Sequence, residues 1–143
     1  MNKNLLDLSI LELSSRLKAK SISSVDLVSE SYQRMEASEP VIHAAITIRE
    51  KVEALAMAKK ADDTRTADSH TLHGIPYVVK DAYITKGMRT TAASKILDNY
   101  IPPYNATVID CLEKCGAILI GKMNMDAWGH GASTENTDYP VTK

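Results

Sequence analysis

Four consecutive apolar residues, Ala117-Ile118-Leu119-Ile120, follow directly on Gly116 and constrain this chain more than any other feature. A run without polar alternation has no face to offer to water. It reads as a strand covered on both sides, the habit of sheets flanked by helices. Ahead of it, Asn105 stands where it can cap a helix carrying Val108, Cys111, Leu112 and Cys115 at i, i+3, i+4 and i+7, with Gly116 as its stop. Further back, Tyr77-Val78-Val79 forms a second hydrophobic run, opened by Pro76 where a strand tolerates proline, and is expected to be buried. Strand, helix and strand in that order predict an α/β sheet with parallel pairing and a right-handed crossover.

The first third reads as helical. Ser9 and Glu12 have the spacing of a capping box, and Leu13 and Leu17 continue an apolar face to about Lys18. Ser23 with Asp26 opens a second helix with a stripe of Val28, Tyr32 and Met35, which Pro40 is expected to end. A short strand is expected over residues 44–48. Val52, Leu55, Ala56 and Lys59 then describe a third helix, and the polar stretch 62–69 a loop. No repeat or low-complexity tract interrupts the pattern.

Lys80 ends the second hydrophobic run, and the C-terminal edge of strands is where functional groups gather in open α/β sheets. A lysine can serve as a base for a serine nucleophile only when neutral. From its ordinary pKa of about 10.4 that requires a drop of roughly three units, on the order of 4 kcal/mol, supplied by desolvation or a nearby cation. The apolar run is expected to desolvate Lys80. Asp81 would oppose the drop if it faced the amine, so it is expected to face elsewhere and cap the turn that follows.

Charge and composition exclude several classes. A net charge of −1 over 143 residues argues against strong nucleic-acid binding by this segment alone. No apolar stretch is long enough to span a membrane, and the start, Met1-Asn2-Lys3-Asn4, leads into an amphipathic pattern without features of a secretory signal. Cys111 and Cys115 lack a second ligand pair of zinc-site type and read as core packing, so no metal site is expected. Gly129-His130-Gly131-Ala132-Ser133 admits two readings: a plain surface turn, or a small-residue segment whose backbone N–H groups approach a substrate. Asn124 and Asp126 are placed to cap a helical turn at Met125-Ala127-Trp128.

One ordered set of segments carries a family resemblance. Gly74-Ile75-Pro76-Tyr77-Val78-Val79-Lys80-Asp81 is followed by residues 85–97, by Asn105-Ala106-Thr107-Val108, by residues 116–126 and by Ser133-Thr134-Glu135-Asn136. In order and spacing this resembles the amidase signature family. The resemblance implies helices followed by part of that family's mixed sheet with flanking helices, with residues 1–143 as the amino-terminal portion of a single, truncated amidase domain. It also implies a Ser-Ser-Lys mechanism in which Lys80 is the base, with Gly129, His130, Gly131 and Ser133 near the substrate.

By the same resemblance the two serines belong to a Gly-Ser-rich segment beyond Lys143. Ser133 is not a substitute, and the chain by itself is expected to be inactive, with apolar sheet surface exposed. Within the family the set is most similar to glutaminase members that serve tRNA-dependent amidotransferases. That branch implies glutamine as substrate, a heterotrimer with partner subunits B and C, mischarged tRNA handled mainly through the partner, and a cytoplasmic location without membrane attachment. It implies no cofactor in this subunit, with ATP and magnesium used by the partner. The alternatives are a stand-alone amidase of other small amides and a non-catalytic interaction module.

Overall fold

A computed structural model describes residues 4–143. Two capping boxes start the first helices where the sequence places them. In α1 (Ile10–Lys18) the Glu12 amide donates to Ser9 Oγ while the Ser9 amide donates to Glu12 Oε2. In α2 (Ser24–Ile42) Ser23 and Asp26 exchange the same pair of bonds. Each box satisfies two amides that a helix start otherwise leaves without acceptors.

The chain then forms β1 (Ala45–Ile48), α3 (Lys51–Thr64), β2 (Pro76–Lys80), α4 (Thr107–Lys114) and β3 (Ile118–Met123). The sheet order is β1-β3-β2, with β3 antiparallel to β1 and parallel to β2. The expected apolar strand is therefore the centre of a mixed sheet, and Ile118 to Lys122 are all buried. Its far edge is β2. There Val78 is 45% exposed, so the strand expected to be buried is half open, because no further strand or helix covers its outer side among the described residues.

One core cluster joins Val28 and Tyr32 of α2, Ala54, Ala58 and Ala61 of α3, and Ile118 and Ile120 of β3. A second joins Leu8, Leu13, Leu17, Leu27 and Ile75. Polar ties hold the layers in register. Asp62, near the end of α3, accepts the Ser24 and Val25 amides at 2.8 and 3.2 Å, taking up free donors at the start of α2. The Tyr32 hydroxyl donates to the Arg49 carbonyl at 2.7 Å.

Four sequence expectations change, for α2, for α3 and, twice, for α4. Pro40 does not end α2, which runs to Ile42 and stops where His43 adopts a left-handed conformation with φ 54°. Proline in a last turn forfeits only the bond to the carbonyl four residues back, too little to unwind a helix held by its other face. In α3 the buried residues are alanines, while Val52 is 80% exposed. Small side chains let α3 approach α2 and β3 closely, so packing distance outweighed hydrophobicity in choosing the face.

In α4 the cap is Ala106, since Asn105 Oδ1 is taken by the Lys86 amide at 2.6 Å. The fully buried position is Ile109, whereas Val108 and Cys111 are exposed and Cys115 is half-buried. The cysteines are thus not core. A helix of two turns matches two apolar templates offset by one residue, and periodicity alone cannot choose between them.

The alanine seam gives a test. Ala58→Leu should destabilise the fold by about 1–3 kcal/mol, because the added methylenes have no room. Val52→Thr should change stability by less than about 0.5 kcal/mol. Urea unfolding midpoints of the two variants, compared with the parent, check both expectations.

Candidate functional site

β2 delivers Lys80 to its last position, paired with Met123 of β3. The Asp81 amide continues the ladder by donating to the Met123 carbonyl at 2.9 Å, and the Tyr83 amide closes a turn on the Lys80 carbonyl at 3.0 Å. Side chains alternate across a strand. Lys80 emerges exposed, and Asp81 points inward with no exposed surface. The desolvation expected for Lys80 is therefore not supplied within these residues, since β2 is the sheet edge.

Asp81 faces away from Lys80, as the sequence argument required. Its Oδ2 accepts the Thr91 amide at 2.8 Å and the Thr91 hydroxyl at 2.6 Å. Its Oδ1 accepts no aligned hydrogen bond and instead faces Lys122 Nζ at 3.2 Å as an ion pair, with both side chains fully buried. Lys122 Nζ also donates to the Tyr83 carbonyl and to Thr90 Oγ1, each at 2.7 Å. The ammonium thus meets two hydrogen-bond acceptors and one carboxylate, the kind of company in which a buried charge is tolerated. Burial pulls the Lys122 amine below its ordinary range, against the opposing pull of Asp81. The lysine that meets the desolvation criterion is therefore Lys122, which the sequence reading gave no role. Its signal was present: a lysine inside a fully buried strand needs an acid partner.

The segment after this pair is clamped to the sheet by Arg89. Its guanidinium donates to the Ile46 carbonyl at 2.7 Å, Thr47 Oγ1 at 3.1 Å and Asp98 Oδ1 at 2.7 Å. The Tyr139 hydroxyl also donates to Asp98 Oδ1, and the Lys95 ammonium lies 4.1 Å from the Tyr139 ring centroid. The Tyr139 bond, then Lys95 and Arg89, hold the Asp98 carboxyl below the usual carboxylate range.

Gly129, His130, Gly131 and Ser133 occupy one exposed loop. Asp126 organises it: the Ser133, Thr134 and Asn136 amides all donate to its carboxylate at 3.0 Å. This corrects the expected capping role, since Asp126 makes no side-chain bond to the 3-10 turn Ala127–Gly129. Asn124 instead accepts the Met125 amide and the Thr137 hydroxyl, both at 2.9 Å. At Gly131 a Cβ would fall 2.5 Å from Asp126 Cγ, so the loop closes on Asp126 only with glycine there. The Ser133 hydroxyl donates to Glu135 at 2.8 Å.

The loop and the Lys80 turn meet through the Thr91 region. Thr91 is held by Asp81, and the next residue, Ala92, accepts the Trp128 amide at 3.0 Å. Ala92 and Ala93 both have left-handed backbones, with φ 50° and 58°, and so does Trp128 with φ 58°. Non-glycine residues hold such conformations only where surrounding contacts over-determine them. Lys80 makes no hydrogen bond to the four loop residues among those described; the two regions are joined through the Asp81 carboxylate, Thr91 and the Ala92 carbonyl.

Elsewhere, a cleft of about 560 Å³ between α2 and β1 is lined by Tyr32, Met35, Glu39, His43, Ile46 and Tyr139 and includes neither Lys80 nor the 129–133 loop. His73 Nε2 lies 2.9 Å from the Ala61 carbonyl, a structural contact. Among the described residues no group of three His, Cys, Asp or Glu side chains is placed to hold a metal, and no helix is long and apolar enough to cross a membrane.

Comparison with known proteins adds to this geometry. Residues 26–143 match the model of the Amidase family. The A subunit of the glutamyl-tRNA(Gln) amidotransferase of Geobacter metallireducens is 45% identical over 140 residues, 97% of this chain and 29% of that protein. Its counterpart in Geobacillus kaustophilus is 44% identical over 142 residues, 98% of this chain and 29% of that one. The chain thus spans under a third of the length of these relatives. Among solved structures, the corresponding Thermotoga maritima protein superposes with a TM-score of 0.75 at 29% identity, covering 99% of this chain and 28% of that one. The peptide amidase of Stenotrophomonas maltophilia gives 0.78 at 29% identity, covering 85% and 26%.

The Asp126 loop should respond to acid. Bonds from the Thr134 amide, then Asn136 and Ser133, depress the Asp126 carboxyl in the folded state. A depressed carboxyl contributes order that is fully present above its unfolded pKa of about 3.9 and is lost as pH falls through the lower folded value. Hydrogen-exchange protection of the Ser133, Thr134 and Asn136 amides should therefore be level from neutrality to about pH 4 and fall below it. Asp126→Ala should remove that protection at every pH.

Proposed function

We propose that this chain, which belongs to the amidase family, is the amino-terminal portion of a single amidase domain that releases ammonia from glutamine in a tRNA-dependent amidotransferase. The observation that carries the reading is the 45% identity, across 97% of the chain, to the A subunit of a glutamyl-tRNA(Gln) amidotransferase. Lys80 at the C-terminal end of β2 supports it, since that is where the mechanism needs its base. Partner subunits B and C complete a heterotrimer in which mischarged glutamyl-tRNA(Gln) or aspartyl-tRNA(Asn) is amidated for protein biosynthesis in the cytoplasm. ATP and magnesium are used by the partner, which also makes most contacts with tRNA, and this subunit needs no cofactor of its own.

In this reading Lys80 is the general base. Neutral Lys80 takes the proton of a relay serine, which takes that of the nucleophilic serine as its oxygen attacks the glutamine amide carbon. Both serines lie in the Gly-Ser-rich segment that follows residue 143. Collapse of the tetrahedral intermediate returns a proton to the leaving nitrogen, releases ammonia and leaves an acyl-enzyme that water hydrolyses to glutamate. Lys80 is exposed within these residues, and the base role requires that it be shielded from water in the complete enzyme. Gly129, His130, Gly131 and Ser133 border the substrate, on a loop whose shape Asp126 sets.

A second reading, a stand-alone amidase of other small amides, is favoured by the superposition on the peptide amidase. Assay of the full-length protein on glutamine, with and without its partners, and on simple amides separates the two.

Arginine keeps the charge of lysine but does not lose its proton in a protein. In the full-length protein, Lys80→Arg should therefore lose glutaminase activity nearly as completely as Lys80→Ala, by about three powers of ten or more. Glutamine turnover against pH, with folding checked by circular dichroism, measures this. A folded arginine variant keeping more than about a tenth of the activity removes Lys80 as the base.

A further inference from the structure

We propose that the buried Asp81–Lys122 pair positions Lys80 for proton transfer, an inference that rests on Lys80 being the base of the proposed amidase. The pair acts on the peptide group that follows Lys80 without touching its side chain. The Asp81 amide extends the ladder to the Met123 carbonyl, so the strand stays in register through Lys80 and one residue past it. The carbonyl of that same peptide group receives the Tyr83 amide, and the Tyr83 carbonyl receives Lys122 Nζ at 2.7 Å, so the turn is held at both ends. The Asp81 carboxylate then grips Thr91 through two bonds, and Lys122 grips Thr90 through a third.

Stability alone is a poor explanation for this arrangement. A fully buried ion pair contributes no more than well-packed apolar residues of similar volume, because desolvating two charges offsets their attraction. The pair instead supplies direction: two charges and their backbone and hydroxyl partners fix one geometry of the turn, where an apolar pair would permit several. A base acts only within a narrow range of distance and angle, and an error of about 1 Å can cost about a hundredfold in rate. The same network carries Thr91 and Ala92, and through the Ala92 carbonyl the loop of residues 127–133. The side chain and the loop proposed to border the substrate are thus referred to one buried anchor.

The test uses full-length protein with its partners, at a temperature well below the melting temperature of every variant. There a merely stabilising residue leaves kcat untouched. Asp81→Asn, Lys122→Met and the milder Thr91→Val are compared with the parent for kcat, KM and melting temperature. The expected result is a fall in kcat of about thirtyfold or more for the first two and about five- to tenfold for Thr91→Val, with KM within about threefold throughout. If the charged-pair variants do not fold, Thr91→Val decides. Folded variants with kcat within about twofold of the parent overturn the positioning role while leaving Lys80 as base. Parent activity that survives Lys80→Arg overturns both.

Discussion

A lysine and an aspartate, both without solvent exposure, hold this structure at the point where its sheet ends and its loops begin. Lys122 belongs to the central strand and Asp81 follows the last residue of the edge strand, so their contact joins the two parallel strands beyond the backbone ladder. Each polar atom they present faces Thr90, Thr91, Tyr83 or the other member of the pair. Losing one member would strand a charge where water does not reach, at a penalty of about 3–5 kcal/mol. The turn after β2 adjoins that contact directly, and the left-handed Ala92–Ala93 step and the loop bonded to it follow from Thr91, which Asp81 holds.

The rest of the architecture packs around the strand that carries Lys122. Ile118 and Ile120 of β3 pack with α2 and α3, and α3 comes close because its inner face is alanine, while Lys122 is covered by the segment carrying Asp81, Tyr83 and Thr90. Asp62 and Tyr32 tie the helices to each other and to the end of β1, so the layers close with those donors satisfied. On the opposite edge β2 stays open, and with it the lysine that the proposed chemistry uses. That lysine has its backbone position set by a rigid strand while its side chain is left uncovered.

What could be read from the sequence was local. Two capping boxes, the stop at Gly116 and the apolar run of β3 declared themselves because their physics lies within a few residues. So did Lys80 at a strand end, and the need for Asp81 to turn away from it. The buried face of α3 was not legible, because alanine is weakly hydrophobic and its value there lies in the distance it allows to another helix. The roles of Lys122, Arg89 and Asp126 were hidden for a related reason. Lys122 and Arg89 act on residues remote in sequence, brought to them by the strand register, and Asp126 on amides seven to ten residues on, brought to it by loop closure. Charged residues in apolar or Gly-rich surroundings were the available signal, and reading each as a group in need of a partner would have found them.

The most direct measurement of the central claim is amide hydrogen exchange at Asp81 and Thr91, whose N–H groups donate to the Met123 carbonyl and to the Asp81 carboxylate. If the buried pair anchors the region, both amides should exchange only through global unfolding, with protection matching that of the β3 amides. Exchange as fast as that of the exposed residues 129–132 would mean that the turn after Lys80 opens locally, and that no anchor of this kind fixes it.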